Sequence, residues 1–376
     1  MSSNKIKIED LDKNFATYSV SNNNFKEYKI PNSNFSLFGA KYEQGYGFYK
    51  MPKNDIDKMD EPDRKKASIH WGNMCTSGVR LAFSTDSTRL KLKVKMHAFC
   101  RTPEMSILAT SYFTLVEVLS TGEEVLASHL FGDCITEPLF EPTYEVSCYL
   151  KGNNVRNYVL YFPTYSCVDE LTVYIDEDRM VKPYNPYKDI KPVLYYGSSI
   201  TQGGSANRAD NAYQAIVCKL NRIDYKTFAM SGSAKAEPGV VDYLASEDCS
   251  VFVCDYDHNA PTAEYLRATH LPLYKRFREV QPNTPIIFMS RPTAFREYEV
   301  ECKEGNERTQ IILDTIEYAK SQGDNNVYFI DGRSMFPLDA REFCLAGESH
   351  PNSLGFLFMG FAVKEVLDKI FEGGKR

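Results

Sequence analysis

Several features are scarce in this 376-residue chain, and each scarcity excludes something. It has ten cysteines, scattered and with no C-x-x-C pair, so neither a disulfide framework nor a zinc ribbon is indicated. Its six histidines, His70, His97, His129, His258, His270 and His350, form no H-x-x-x-H or other dense ligand pattern. His258 lies beside Asp255 and Asp257, but successive side chains at a strand end point to opposite sides, so the three do not make a ligand set. No metal and no cofactor is therefore expected. Charge of one sign is also lacking. The net charge is −6, acids and bases are interspersed, and no lysine or arginine block points to nucleic acid or an anionic membrane. No apolar run reaches membrane-spanning length. The opening MSSNKIKIEDLDKNF lacks the apolar core of a secretory signal. The expectation is a cytoplasmic protein with neither a membrane nor a nucleic-acid partner; oligomerisation is left open.

Apolar residues make up 43% of the chain, enough for two cores, and the length predicts two domains. Up to about residue 178 the apolar pattern has period two. In Arg89-Leu90-Lys91-Leu92-Lys93-Val94-Lys95-Met96 the leucines, valine and methionine face one way and the cations the other, the mark of a half-buried antiparallel strand. Similar runs cover 79–84, 112–119, 125–130, 158–162 and 171–175, separated by turns at 120–122 and 151–154. Many short strands with few helical stretches predict a β-sandwich or jelly roll over 1–178. Residues 179–191 carry the proline-rich MVKPYNPYKDIKP and read as an extended linker. From 192 to 376 strands alternate with helices. Strands are expected at 193–196, 251–255, 286–289 and 327–330, and helices at 212–220, 240–245, 263–278, 307–321 and 354–371. This predicts a three-layer α/β domain with a parallel sheet.

The chemistry-bearing residues gather at predicted strand ends in this second half. Val193-Leu194-Tyr195-Tyr196 reads as a buried parallel strand, and Gly197-Ser198-Ser199 follows at its carboxyl edge, where ligands bind in open α/β sheets. Met230-Ser231-Gly232-Ser233-Ala234-Lys235 is a small-residue loop. Asp255-Tyr256-Asp257-His258-Asn259-Ala260 follows another strand, and Glu348-Ser349-His350-Pro351-Asn352 precedes the last helix. Taken singly, each has a structural explanation: a turn, a helix cap, a surface loop.

In this order the four segments resemble the SGNH (GDSL-type) hydrolase superfamily over roughly residues 190–372. The front half is similar to the β-sandwich that precedes the catalytic domain in one subgroup, notably around Ser77-Gly78-Val79-Arg80-Leu81-Ala82-Phe83. The resemblance implies an α/β/α hydrolase domain behind a jelly roll. In it Ser199 is the nucleophile, His350 the general base, and the N–H groups of Ser199 and Gly232 with the Asn259 amide form the oxyanion hole. The G-x-S-x-G elbow of α/β-hydrolases is absent.

One departure stands out. The family's D-x-x-H aspartate falls on Gly347. Glu348 could replace it, a backbone carbonyl could orient His350, or activity could have been lost. The resemblance is closest to carbohydrate acetyl esterases of gut bacteria. It implies removal of O-acetyl groups from imported plant oligosaccharides, manno-oligosaccharides first and xylo-oligosaccharides next, through an acetyl-enzyme. An acyltransferase on the same scaffold and a non-catalytic carbohydrate-binding protein are the alternatives. Trp71, the single tryptophan, is read as a polar-loop residue before a strand, either at the active-site rim against a sugar ring or in the core. Arg291, after the 286–289 strand, is expected either on a substrate hydroxyl or in a local ion pair.

Overall fold

The computed structural model describes residues 8–12, 24–98, 100, 102–130, 143–152, 154–292 and 303–373. The amino-terminal stretch read for a leader lies largely outside them, as does Asn153 of the expected 151–154 turn. None of the described helices is long and apolar enough to cross a membrane.

The front half is built mainly from two large antiparallel sheets, with a two-stranded ribbon of Lys41–Glu43 and Gly47–Tyr49 in addition. One has the order Phe25–Ile30, Cys167–Asp176, Arg89–Ala98, Thr143–Tyr149. The other runs Val181–Pro183, Arg80–Thr85, Arg156–Tyr161, Phe113–Val118, Glu124–Leu130, with Ser36–Phe38 also paired to Arg80–Thr85. The alternation of Arg89–Ala98 is realised as expected. Leu90, Leu92, Val94 and Met96 are buried against Leu81, Phe83, Leu115 and Leu160, while Lys93 and Lys95 face water.

The second sheet is different. Every residue of Arg80–Thr85 and Phe113–Val118 is buried. Its outer face, with Ala82, Val116, Val118, Val159 and Tyr161, packs into a core shared with the second half. A sheet covered on both faces needs apolar side chains on both, which blurs the two-residue period there. Two sequence expectations change accordingly. The linker is not simply extended: its Val181–Pro183 segment is a strand of the front sheet. And Trp71 is not in a loop, because Asp63–Met74 is a helix, entered through Pro62 with Asp63 in its first turn.

The second half holds a five-stranded parallel sheet in the order Tyr225–Ala229, Val193–Gly197, Val251–Asp255, Ile286–Met289, Val327–Ile330. Helices Tyr213–Asn221 and Ser353–Gly373 cover one face and share a core with the front sheet. Helices Pro238–Ser246, Ala263–Val280 and Lys303–Ser321 cover the other. The strand order reverses at Val193–Gly197. The crevice outside the carboxyl ends of that strand and Val251–Asp255 is thus the switch point where such sheets take ligands.

The two halves are locked by Arg80, which is fully buried. Its guanidinium donates to Asp224 Oδ1 at 2.9 Å, the Tyr225 carbonyl at 2.7 Å and Tyr187 Oη at 3.1 Å, and lies 3.8 Å over the Tyr225 ring. A buried cation persists only when its donors are met in this way.

Candidate active site

Ser199 opens a single helical turn, Ser199–Gln202, just past the Val193–Gly197 strand. Ser198 precedes it, and its Oγ accepts the Ile200 N–H at 3.2 Å, closing the strand-to-helix corner. Gly197 must be glycine. A Cβ there would stand 2.1 Å from Thr201 Oγ1 and 2.8 Å from the Asp255 carbonyl. Thr201 in turn donates to Asp255 Oδ2 at 2.8 Å, which also receives Tyr213 Oη at 3.1 Å. Burial raises the Asp255 carboxyl to about 7, so it sits at the threshold of ionisation beneath the nucleophile turn.

The fold brings His350 to the nucleophile turn. Its Nε2 lies 2.8 Å from Ser199 Oγ, although 151 residues separate the two. Leu345 and Pro351 form a bridge that bends the chain back at this point, and Asn352 Oδ1 accepts the Leu354 and Gly355 N–H groups at the start of the last helix. Burial holds His350 below the ordinary histidine range, and the charge of Glu104 pulls it back up. A neutral imidazole at this distance from a serine hydroxyl is placed to take its proton. Gly204 leaves room for the pair, since a Cβ there would meet Tyr165 Oη at 2.8 Å, the Ser199 carbonyl at 3.1 Å and His350 Cδ2 at 3.2 Å.

The loops that carry the expected oxyanion residues are tied to the nucleophile turn and to each other. Met230 N–H donates to the Gly197 carbonyl at 3.0 Å, which holds the 230–235 loop beside the nucleophile turn. Gly232 on that loop has φ +66°, a conformation that favours glycine. Asn259 Oδ1 accepts the Ala234 N–H at 3.3 Å, which leaves the Nδ2 end of the amide as its donor. The 257–260 loop is pinned from behind by Arg308, whose guanidinium donates to the Asp257 and Ala260 carbonyls, both at 2.9 Å.

The remaining expectations separate. His350 Nδ1 meets Ser349 Oγ at 3.2 Å. Glu348 lies on the same loop, two residues before His350, at an exposed position. Trp71 sits on the last turn of its helix, 36% exposed, with its ring against Tyr165 at 6.2 Å between centroids. Tyr165 Oη donates to the Ser199 carbonyl at 3.1 Å, so the tryptophan is one ring removed from the nucleophile. Arg291 stands at the expected sheet edge. Its N–H donates to Asp257 Oδ2 at 3.3 Å, and its charge, after burial, helps hold His258 down at about 4. His258 lies 6.5 Å from His350, ring to ring. Asp257 and His258 lie on a short helical turn, Asp257–Asn259, just past the strand that ends at Asp255.

Sequence reasoning missed the support that the front half gives the nucleophile. Besides Tyr165, Ser77 Oγ donates to the Gln202 carbonyl at 2.7 Å, and Gln202 Nε2 donates to the Thr164 carbonyl at 3.2 Å. Gln202 Oε1 accepts the Ser231 N–H at 3.0 Å, tying the oxyanion loop to the same turn. Only Gln202 carried a local signal, as a buried polar residue one turn after the serine.

A serine and an imidazole in contact at a parallel-sheet switch point, flanked by a glycine loop and an asparagine, define an ester-hydrolase site of the SGNH type. Residues 190–368 match the GDSL-like Lipase/Acylhydrolase family, and residues 39–181 match the N-terminus of SGNH-hydrolase-type esterases. The second half of the chain thus matches a GDSL-like lipase/acylhydrolase domain and the first half the amino-terminal domain of such esterases, a pairing that supports a carboxylic ester hydrolase. No curated protein matches it at a significant level. Among solved structures, it is similar to a protein described as a GDSL-like lipase from Bacteroides ovatus, at 23% identity and a TM-score of 0.80 over 93% of this chain and 98% of that one. The salicylyl-acyltransferase SsfX3 of a tetracycline biosynthetic pathway shares the fold at 16% identity and 0.73, over 93% and 98% of the two chains. The acetyl xylan esterase Est2A from Butyrivibrio proteoclasticus does so at 12% identity and 0.59, over 93% and 99%.

Proposed function

We propose that this esterase removes O-acetyl groups from plant oligosaccharides taken up by the cell, with manno-oligosaccharides preferred and xylo-oligosaccharides second. The observation that carries the chemistry is the 2.8 Å contact between His350 Nε2 and Ser199 Oγ. In the proposed mechanism Ser199 Oγ attacks the acetyl carbonyl carbon as its proton passes to His350 Nε2, and the C=O π pair becomes an oxyanion held by the Ser199 and Gly232 N–H groups and Asn259 Nδ2. Collapse breaks the bond to the sugar oxygen, which leaves with the proton from Nε2. Water then repeats the sequence on the acetyl-enzyme and releases acetate.

The sugar preference is supported by the half-exposed Trp71, whose indole N–H has no hydrogen-bond partner among the described residues and whose face is available to a pyranose ring. The small side chains of Ser231, Ser233 and Ala234 suit a short acyl group. Mass spectrometry of acetylated manno- and xylo-oligosaccharides before and after incubation tests the reading. Losses of 42 Da from the wild type, none from Ser199→Ala, and a raised KM for Trp71→Ala are expected. Deacetylation by Ser199→Ala at the wild-type rate would refute it. An acyltransferase shares the acyl-enzyme and the fold of SsfX3, and product analysis with an added alcohol acceptor separates the two.

A further inference from the structure

We propose that Glu104, from the front half of the chain, is the acid partner of His350: a positioning residue whose carboxylate stands over Gly347 and compensates the charge that the imidazole gains during proton transfer. This rests on the Ser199–His350 esterase reading.

Three observations place it. A Cβ on Gly347 would lie 3.5 Å from Glu104 Cδ and Oε2 and 3.6 Å from Oε1. The Glu104 carboxylate thus occupies the space next to the backbone position three residues before His350, where no side chain is present. Second, the Glu104 segment is fastened to the histidine's surroundings. Ser106 Oγ donates to the Asn207 carbonyl at 2.9 Å, and Asn207 N–H donates to Ser353 Oγ at 2.9 Å, at the head of the helix that follows His350. The Ile107–Thr110 turn is held in addition by Thr164 and Tyr165 N–H groups on the Ala109 and Thr110 carbonyls, beside the ring that supports Ser199. Third, Glu104 is the acid whose charge acts on His350, and it favours the protonated imidazole.

The surroundings leave this role to Glu104. His350 Nδ1 has Ser349 Oγ at 3.2 Å, a neutral partner that fixes ring orientation but carries no countercharge. The other titratable ring facing His350 is His258, held down at about 4 and therefore neutral at working pH. Arg291, whose charge acts on His258, carries the imidazolium's own sign and supplies no countercharge. When Ser199 loses its proton the site holds an imidazolium and an oxyanion. A carboxylate near the imidazolium lowers the energy of that state, as the third member of a serine triad does. Glu104 is exposed, so solvent screens it and the effect is smaller than that of a buried aspartate.

The test uses the full chain and two readouts, turnover of p-nitrophenyl acetate and the rate of fluorophosphonate labelling of Ser199, each from pH 5 to 9. Glu104→Gln should lower kcat roughly 10-fold with KM held, and move the acid limb of kcat/KM to lower pH. Glu104→Asp should fall between. Gly347→Asp in the Glu104→Gln background should restore rate and acid limb, whereas Gly347→Asp alone crowds two carboxylates and should not raise activity. Unchanged rate and pH profile in Glu104→Gln, with thermal unfolding unaltered, would overturn the proposal. So would failure of Gly347→Asp to restore a slowed Glu104→Gln that is folded. Ser199→Ala separates the two levels: if it still turns over ester or takes the label, the esterase reading itself fails, whatever Glu104 does.

Discussion

Gly204→Ala tests how tightly the nucleophile and its base are held. The added methyl would fall 2.8 Å from Tyr165 Oη, 3.1 Å from the Ser199 carbonyl and 3.2 Å from His350 Cδ2. Ordinary contact for such atoms begins near 3.5 Å, so the tyrosine must yield by more than about 0.5 Å and the histidine ring by a few tenths. Tyr165 cannot move freely: it is buried, its Oη is bonded to the same Ser199 carbonyl, and Trp71 packs on its ring. The strain therefore lands on the Ser199–His350 contact. Misplacing reacting groups by about 1 Å can cost about 10²-fold, so half that shift predicts a fall in kcat of roughly 10-fold, and up to about 100-fold if the imidazole swings away. Stability should drop by about 1–3 kcal/mol, the usual range for overpacking. The assay is kcat and KM on p-nitrophenyl acetate alongside thermal unfolding. A folded variant with wild-type kcat would show that the site tolerates such motion and would refute the reasoning.

Asn259→Ala should reduce kcat by about 10²–10³-fold with little change in KM, because the lost donor acts mainly on the transition state; steady-state kinetics at saturating ester decide this. The acid limb of kcat/KM should have its midpoint below the ordinary histidine value of 6.5, since burial favours the neutral His350 that accepts the serine proton; a midpoint above 6.5 would contradict the burial argument. Asp255 gives a stability test with a defined sign. Its folded-state value, about 7, lies above the ordinary aspartate value of 3.8, so the folded protein holds the extra proton between those limits and loses stability as pH rises through them. Asp255→Asn carries no such penalty. Urea titrations should show the variant gaining on the wild type from pH 4 to pH 7, by up to about 4 kcal/mol in total.

Ser199 and Asn259 were legible beside strands that the local apolar pattern predicts, whereas Gly232 and His350 were singled out by the order of motifs that the resemblance supplied. The α/β alternation was legible from the same apolar pattern, since buried strands such as Val251–Asp255 are unbroken apolar runs. The edge strand Tyr225–Ala229 was not, because YKTFA carries a lysine at its second position. Lys226 reaches out to pair with Glu247, as an edge strand permits. The Asp63–Met74 helix was missed because DRKKASIHWGNM has no apolar stripe, and only Ile69, Gly72 and Asn73 are buried on it. Gly72 instead marks a close approach, its virtual Cβ 2.8 Å from Met230 Cγ beside the oxyanion loop. Glu104 and Tyr165 had no local signal at all. Their relation to the site is made by tertiary contact across 243 and 34 residues, to Gly347 and Ser199, and a single sequence does not encode such distances in any motif.

Arg80 has a consequence for how the molecule comes apart. A cation sealed between two halves, with its Nε on the Gly78 carbonyl of its own half and its two terminal nitrogens engaged on Tyr187, Asp224 and Tyr225, makes separation of those halves expensive before either has lost its own sheet. Melting should therefore proceed as one calorimetric endotherm. An excised 190–373 fragment would expose the apolar skin that Val116 and Val159 now cover, and would be expected to precipitate rather than persist as a miniature esterase.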